Sequence, residues 1–521
     1  MDAAPLRVGI VPTHEYTRRR RLWSALQAAY PVRFEGREPG AVAGLDGLIA
    51  IGGSAVSPCD DIPCLLAEGE ERPQTGTPPL PLLLSSDPAL PPPLAGARLS
   101  ESRCTALTRP ALEQEVVLAT LDGAPAWTRA RGGASPTQRI ACVPEELGEH
   151  EALRERLEPG RCLALLALVQ FLRDLTAAPA SARLHATFLI DDPNLHWRSY
   201  GHLRYPELLR DARTHGYHLA VAMVPLDGWL ADPRVARLFR EGERQLSVCV
   251  HGNEHYGPEL GRPRTVAEGI ALGKRALRRV AAFERRTGVA VDRVMVPPHE
   301  RISEPMARAL VACGFQALST TRPYPWAVTS PDRPWLTRPA DAGPLAAWRP
   351  VDIVAGGLPV LLRADFALHP REDLVLRAFL GQPLILYGHH ELLRDGPDAL
   401  AQTAAEIDRL GEVHWCSLAE IPRPRVVRGT LGATAASETT EASGARTTSE
   451  TTGVSGATAT SEATEVSGAT AASEASALGA TGLDASTIPP LPRRLRPVLR
   501  RVAAEGEVRL RAAVTSRKDR Q

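Results

Sequence analysis

The chain has 521 residues, 61 of them Lys or Arg and 60 Asp or Glu, for a formal net charge of +1. That length allows two or three domains. The charge balance gives no reason to expect nucleic acid or an anionic membrane as the general partner. The 8 cysteines include no Cys-x-x-Cys pair, which points to reduced thiols in a cytoplasm rather than a disulfide framework. Met1 to Pro5 lacks the basic and apolar regions of a signal peptide. The longest largely apolar run, Cys162 to Leu172, is too short to span a bilayer. The expectation is a cytoplasmic protein without a transmembrane segment.

Residues 1–180 read as an N-terminal α/β domain of unassigned role. Leu6 to Val11 and Gly47 to Ile51 are apolar strands, and Arg18 to Tyr30 has helical spacing through Leu22, Leu26 and Tyr30. Leu82 to Leu84 and Arg139 to Val143 are further strand candidates, and Arg161 to Leu175 is a helix that closes the unit. Strands alternating with helices predict a doubly wound parallel sheet. Gly52-Gly53-Ser54 is a glycine turn without the full G-x-G-x-x-G pattern, so it reads as structural.

Residues 184–424 keep the α/β rhythm. Candidate strands end at Ile190, Val224, Val250, Val296, Ser319, Leu362, Tyr387 and Cys416, with the clearest helices from Val266 to Arg286 and Asp398 to Leu410. Repeated βα units of this kind predict a barrel related to the (β/α)8 type, with seven or eight units. Barrel enzymes place their chemistry in the loops after the strands. The polar clusters Asp191-Asp192, His251 to His255, Pro297-Pro298-His299 and Gly388-His389-His390 all fall at such positions.

Residues 429–487 are low in complexity. A twelve-residue period starts at Gly432, Gly444, Gly456 and Gly468, built from Ala, Thr, Ser, Glu and Gly. Without large apolar side chains such a segment cannot offset its ordering entropy, so a disordered spacer is expected. The last part, 488–521, is a basic tail. Leu491 to Arg520 carries ten Arg or Lys against three acids, with Leu495, Val498, Leu499 and Val502 at helical spacing. An acidic partner for it is one reading, and a solvated tail the other.

The strands bring particular chemistry. Ala186 to Asp192 is an apolar run ending in two carboxylates, and Val248 to His255 is one ending in two histidines four apart. Together they supply O and N ligands for one divalent metal and leave a carboxylate over as a base. Zn²⁺ is the expected ion. Glu254 does not follow the first histidine directly, where Gly252 stands, so an H-E-x-x-H zinc helix is rejected. Asn194, His196, Trp197 and Tyr200 follow the acid pair, where they either line a substrate groove or form a capped loop packed on the barrel top.

These motifs, in this order, resemble the polysaccharide deacetylase family of metal-dependent carbohydrate esterases. Thr187-Phe188-Leu189-Ile190-Asp191-Asp192-Pro193 is similar to its Thr-Phe-Asp-Asp-Gly motif. His251-Gly252-Asn253-Glu254-His255 is similar to its His-Ser/Thr-x-x-His motif. Arg293 to His299 is similar to its Arg-x-Pro loop, and Leu386 to His390 to its Leu-x-His strand end. The resemblance implies a deacetylase-like barrel in which Asp192, His251 and His255 hold the metal. It implies Asp191 as general base and His389 or His390 as general acid, with a lean to His389. Asn194, His196, Trp197 and His299 are candidate substrate-binding residues. The implied activity is removal of an acetyl or other N-acyl group from a sugar or related amide.

Several positions depart from the family pattern. Leu189 and Ile190 intervene before the acids, Pro193 and Gly252 stand in place of the usual Gly and hydroxyl residue, and Arg293 lies four residues before the proline. Two rivals are weighed against the deacetylase. One is a glycoside hydrolase, for which adjacent carboxylates are poorly suited. The other is a non-catalytic carbohydrate-binding or scaffold protein on the same barrel.

Overall fold

The structure, a computed structural model, describes residues 4–52, 62–69, 78–107, 111–131, 136–177, 183–326 and 343–423. Gly53-Ser54, the spacer expected at 429–487 and the basic tail at 488–521 lie outside the described residues.

The N-terminal part is one sheet of nine strands. Its order is Val32–Gly36, Leu6–Val11, Gly47–Ile51, Cys64–Ala67, Thr137–Ile140, Ala124–Ala130, Glu115–Leu121, Leu80–Leu84 and Arg98–Glu101. The first five run parallel. The rest are antiparallel, which corrects the expectation of a doubly wound, all-parallel sheet. The reason is local. Asp122-Gly123 joins two strands with φ of 50° and 82°, the geometry of a two-residue hairpin turn. A connection that short can only reverse the chain. The helices Arg20–Ala29 and Leu163–Leu175 bury Leu22, Trp23, Leu26, Leu166 and Phe171 in the core of this sheet.

That core continues into the second half of the chain. Val375, Leu376 and Phe379 of the helix Arg371–Phe379 belong to the same cluster. The Arg173 guanidinium lies 4.2 Å from the centre of the Phe379 ring. Ser100 donates to Glu372 through its hydroxyl at 2.7 Å and its N–H at 3.0 Å. Against the cost of burial, Arg154, His369 and Arg377 pair with the Asp373 carboxylate and hold it well below the usual carboxylate range. The N-terminal sheet and the barrel lie in one compact unit.

Seven parallel strands close the barrel: Leu184–Asp191, Leu219–Met223, Leu246–His251, Val291–Val296, Ala317–Thr320, Leu358–Asp365 and Leu384–Gly388, with the last beside the first. Pairing of the first with the second, Phe188 opposite Leu219, completes the ring. Most of these strands end within one residue of the position read from the sequence. The strand expected at Cys416 is not an eighth stave. Among the described residues, Val413–Trp415 pairs only with the start of the first strand, Leu184 to Ala186. Cys416, Leu418 and Ile421 then join Leu189, Ala220, Cys249, Val294, Ala317, Leu361 and Ile385 in the barrel's inner core. The segment after the last barrel strand serves as an apolar plug. Among the described residues, no helix is long and apolar enough to cross a membrane.

Candidate metal centre

The inner core fixes which side chains reach the mouth of the barrel. Side chains alternate along a strand. Leu189, Cys249, Leu361 and Ile385 face inward, so Asp191, His251, Arg363 and Tyr387, two positions on, face inward at the C-terminal end. Asp192 has the opposite parity, yet it joins the same site. Its φ is +81°, a left-handed turn that reverses the alternation and lets two adjacent carboxylates face one space. Aspartate tolerates that region better than most side chains.

Asp192, His251 and His255 converge, with one ligand atom from each within 4.8 Å of the others. The Asp192 Oδ1 lies 3.6 Å from His251 Nε2 and 3.3 Å from His255 Nε2. His251 Nδ1 lies 3.0 Å from the Val296 carbonyl oxygen. An N–H donated there leaves Nε2 as a lone-pair donor towards Asp192, the arrangement found at histidine metal ligands. The loop that carries His255 is shaped by Glu259. Its buried carboxylate accepts the backbone N–H groups of Asn253 at 2.6 Å, Glu254 at 2.9 Å and His255 at 2.9 Å. Gly252 makes this possible. Its φ is +62°, and a Cβ there would lie 2.5 Å from the Glu259 carboxylate and 2.6 Å from Pro298. The departure at Gly252 thus has a structural cause. One O and two N donors, with the His251 ring oriented by its own hydrogen bond, fit a divalent ion.

Asp191 is 4% exposed and is held apart from this trio. Its Oδ1 accepts from Arg363 Nη1 at 2.9 Å. Arg363, 2% exposed, also donates through Nε to Glu300 at 2.8 Å and lies 3.9 Å from the centre of the Tyr387 ring. Glu300 in turn accepts from the Thr320 hydroxyl at 2.6 Å and the Thr321 N–H at 3.0 Å. Two carboxylates around one buried guanidinium raise its pKa despite burial. Arg293, four residues before the proline, forks onto Glu284 at 2.7–2.9 Å, away from Asp191. The arginine beside Asp191 comes instead from the sixth barrel strand. The signal for it was a charged residue inside the apolar run Leu358 to Ala364, at inward parity.

The two histidines that follow the last barrel strand differ in exposure. His389 is exposed, whereas His390 is largely enclosed, its side chain 12% accessible. Burial lowers the His390 pKa, with His202 and His389 adding to that effect and Glu391 and Asp192 opposing it. Of the proposed substrate-binding residues, Asn194 and His196 are 3% and 6% exposed. Asn194 accepts the His196 N–H at 3.2 Å, and the His196 ring meets the Asp227 carbonyl at 2.7 Å. Both are buried, and these bonds hold the loop together. Trp197 is 51% exposed on the rim. The His299 ring is exposed and lies 4.9 Å from that of His255. Trp229 and Tyr256, not singled out from the sequence, are also open, at 53% and 55%.

No family model matches the sequence, and no curated protein matches it. Solved structures do resemble part of the chain. A putative polysaccharide deacetylase from Mycobacterium smegmatis is 15% identical over 47% of this chain and 90% of that one, with a TM-score of 0.33. A family 4 carbohydrate esterase from Streptomyces lividans is 13% identical over 44% and 87%, with a TM-score of 0.25. A CE4 family pseudoenzyme from Bacillus anthracis is 14% identical over 46% and 68%, with a TM-score of 0.26. At these values the functional reading rests on the side chains themselves.

Proposed function

We propose that the chain is a metal-dependent hydrolase that removes an acetyl or related N-acyl group from a sugar or similar amide. The observation that carries this reading is the convergence of Asp192, His251 and His255 beside a separately anchored Asp191 at the open end of the barrel. Asp192, His251 and His255 would hold one divalent ion, zinc by donor type. Such an ion lowers the pKa of a ligated water and polarises an acyl carbonyl. Asp191, fixed by Arg363, is oriented to accept the proton of an attacking water. His390, enclosed and within electrostatic reach of Asp192, is the better placed histidine to return a proton to the leaving nitrogen. Trp197, Trp229, Tyr256 and His299 offer exposed rings on the rim where a sugar could stack.

A glycoside hydrolase is disfavoured because one of the two carboxylates is in the ligand trio and the other is tied to Arg363. The test is acetate release from N-acetylated oligosaccharides by the zinc-loaded protein. Asp191→Asn should keep the metal and lose about 10²–10⁴-fold in rate, the usual effect of removing a general base. Full activity in that variant would exclude Asp191 as the base. Absence of turnover by the wild type on any acetylated sugar would favour a binding protein.

A further inference from the structure

His390 is held in an unusual way. Its Nδ1 is buried and has no hydrogen-bond partner among the described residues. A catalytic imidazole is ordinarily oriented by a bond from its second nitrogen to a carbonyl or carboxylate. Here Nε2 lies 3.2 Å from Glu391, whose side chain is 57% exposed, and a mobile surface carboxylate is a poor anchor. Orientation must come from packing instead.

The packing is supplied by a small hairpin that follows the first barrel strand. Ser199 pairs with Arg204 and Tyr200 with Leu203, around the two-residue turn Gly201-His202. All three residues at its tip touch the same ring. Tyr200 approaches it at 5.6 Å between centroids, with planes at 74°. His202 lies at 5.6 Å, with planes at 39°. Gly201 closes the remaining side. A Cβ on Gly201 would lie 2.4 Å from Nδ1, 2.5 Å from Cγ and 2.7 Å from Cε1 of His390, so the imidazole rests directly on the glycine backbone. Gly201 also has φ of +54°, which a glycine adopts without penalty. Tight turn geometry and close approach both require the missing side chain.

We propose that the Tyr200-Gly201-His202 tip is a positioning clamp for His390, replacing the hydrogen bond that would otherwise orient its ring. The three are positioning residues and act through His390. The assignment rests on the reading of His390 as the proton donor only for its effect on turnover; the clamp itself is a statement about the ring's confinement. Gly201→Ala pushes a methyl group into the imidazole and displaces it. His202→Ala opens one side, whereas His202→Phe restores a ring of similar breadth without a titratable nitrogen.

The test is the rate at which diethyl pyrocarbonate modifies His390 in the full-length, zinc-loaded protein, read by mass spectrometry at fixed pH. Acetate release from an N-acetylated chitin oligosaccharide is measured on the same samples. The expected result is slow modification in the wild type and in His202→Phe, and at least about tenfold faster modification in His202→Ala and Gly201→Ala. Acetate release should fall through kcat, with KM little changed, in the two disruptive variants only. If Gly201→Ala does not fold, the His202→Ala and His202→Phe pair decides. Equal modification rates in wild type, His202→Ala and His202→Phe would overturn the clamp. If the wild type releases no acetate, the deacetylase reading fails, while the modification rates still decide the clamp.

Discussion

The most consequential residue is Arg363. It is buried between Asp191 and Glu300, so its charge is compensated only while both carboxylates stay in place. Removing one partner of such a buried group typically costs about 3–5 kcal/mol, because the remaining charges are left unpaired. Arg363→Met should therefore lower unfolding free energy by about that amount in urea titration. A change below about 1 kcal/mol, the range of exposed pairs, would show that the network is solvated. A second residue sets a pH dependence. Burial under the segment Ser417 to Arg423 pushes Asp292 up to about 6, from an ordinary value of 3.8. The folded form then binds its proton more tightly than the unfolded chain. Its contribution is fully present below pH ~4 and is lost as pH rises through about 6, a change of about 3 kcal/mol. Asp352, also raised to about 6 by burial, adds in the same direction. Asp292→Asn should flatten the fall of melting temperature between pH 4 and 6, and an unchanged slope would contradict the assignment.

At the scale of elements, the barrel strands were legible because each is a short apolar run ended by polar residues, the pattern of a strand buried on both faces. The cluster of chemistry after those strands was legible for the same reason: strand ends are where a barrel exposes polar groups. The mixed N-terminal sheet was not legible from the strand-helix rhythm, although Asp122-Gly123 carried the hairpin signal. Arg363 was missed because it lies inside an apolar strand, Leu358–Asp365, rather than in a polar cluster at a strand end, while the barrel brings it to Asp191 from 172 positions away. His389 and His390 could not be ranked by alternation, since the strand ends at Gly388 and a helical turn begins at His390. The 251–259 loop illustrates how one buried side chain builds an element. Glu259 collects three backbone N–H groups and fixes the path that delivers His255. Glu259→Gln should weaken metal affinity about 10–100-fold, as loss of a ligand-orienting partner does. Competition with a chromophoric chelator measures it, and an unaltered affinity would mean that the loop is held by other contacts.

At the scale of the molecule, the N-terminal sheet and the barrel share apolar core through the helix Arg371–Phe379. Phe379, 1% exposed, packs into the sheet's core and beneath Arg173. Phe379→Ala should cost about 3–5 kcal/mol, as truncating a buried aromatic does. Calorimetry should show the sheet and barrel melting together in the wild type, and two separate transitions would contradict the shared core. The sheet therefore braces the barrel on the side of its sixth and seventh strands, the sixth of which carries Arg363.

The central claim is that Asp192, His251 and His255 form one metal centre. Elemental analysis of the purified wild-type protein tests it most directly, alongside His251→Ala and His255→Ala prepared in parallel. The account predicts about one equivalent of a divalent metal, chiefly zinc, in the wild type, and little in either variant. Undiminished metal in both variants, or none in the wild type after zinc loading, would contradict it.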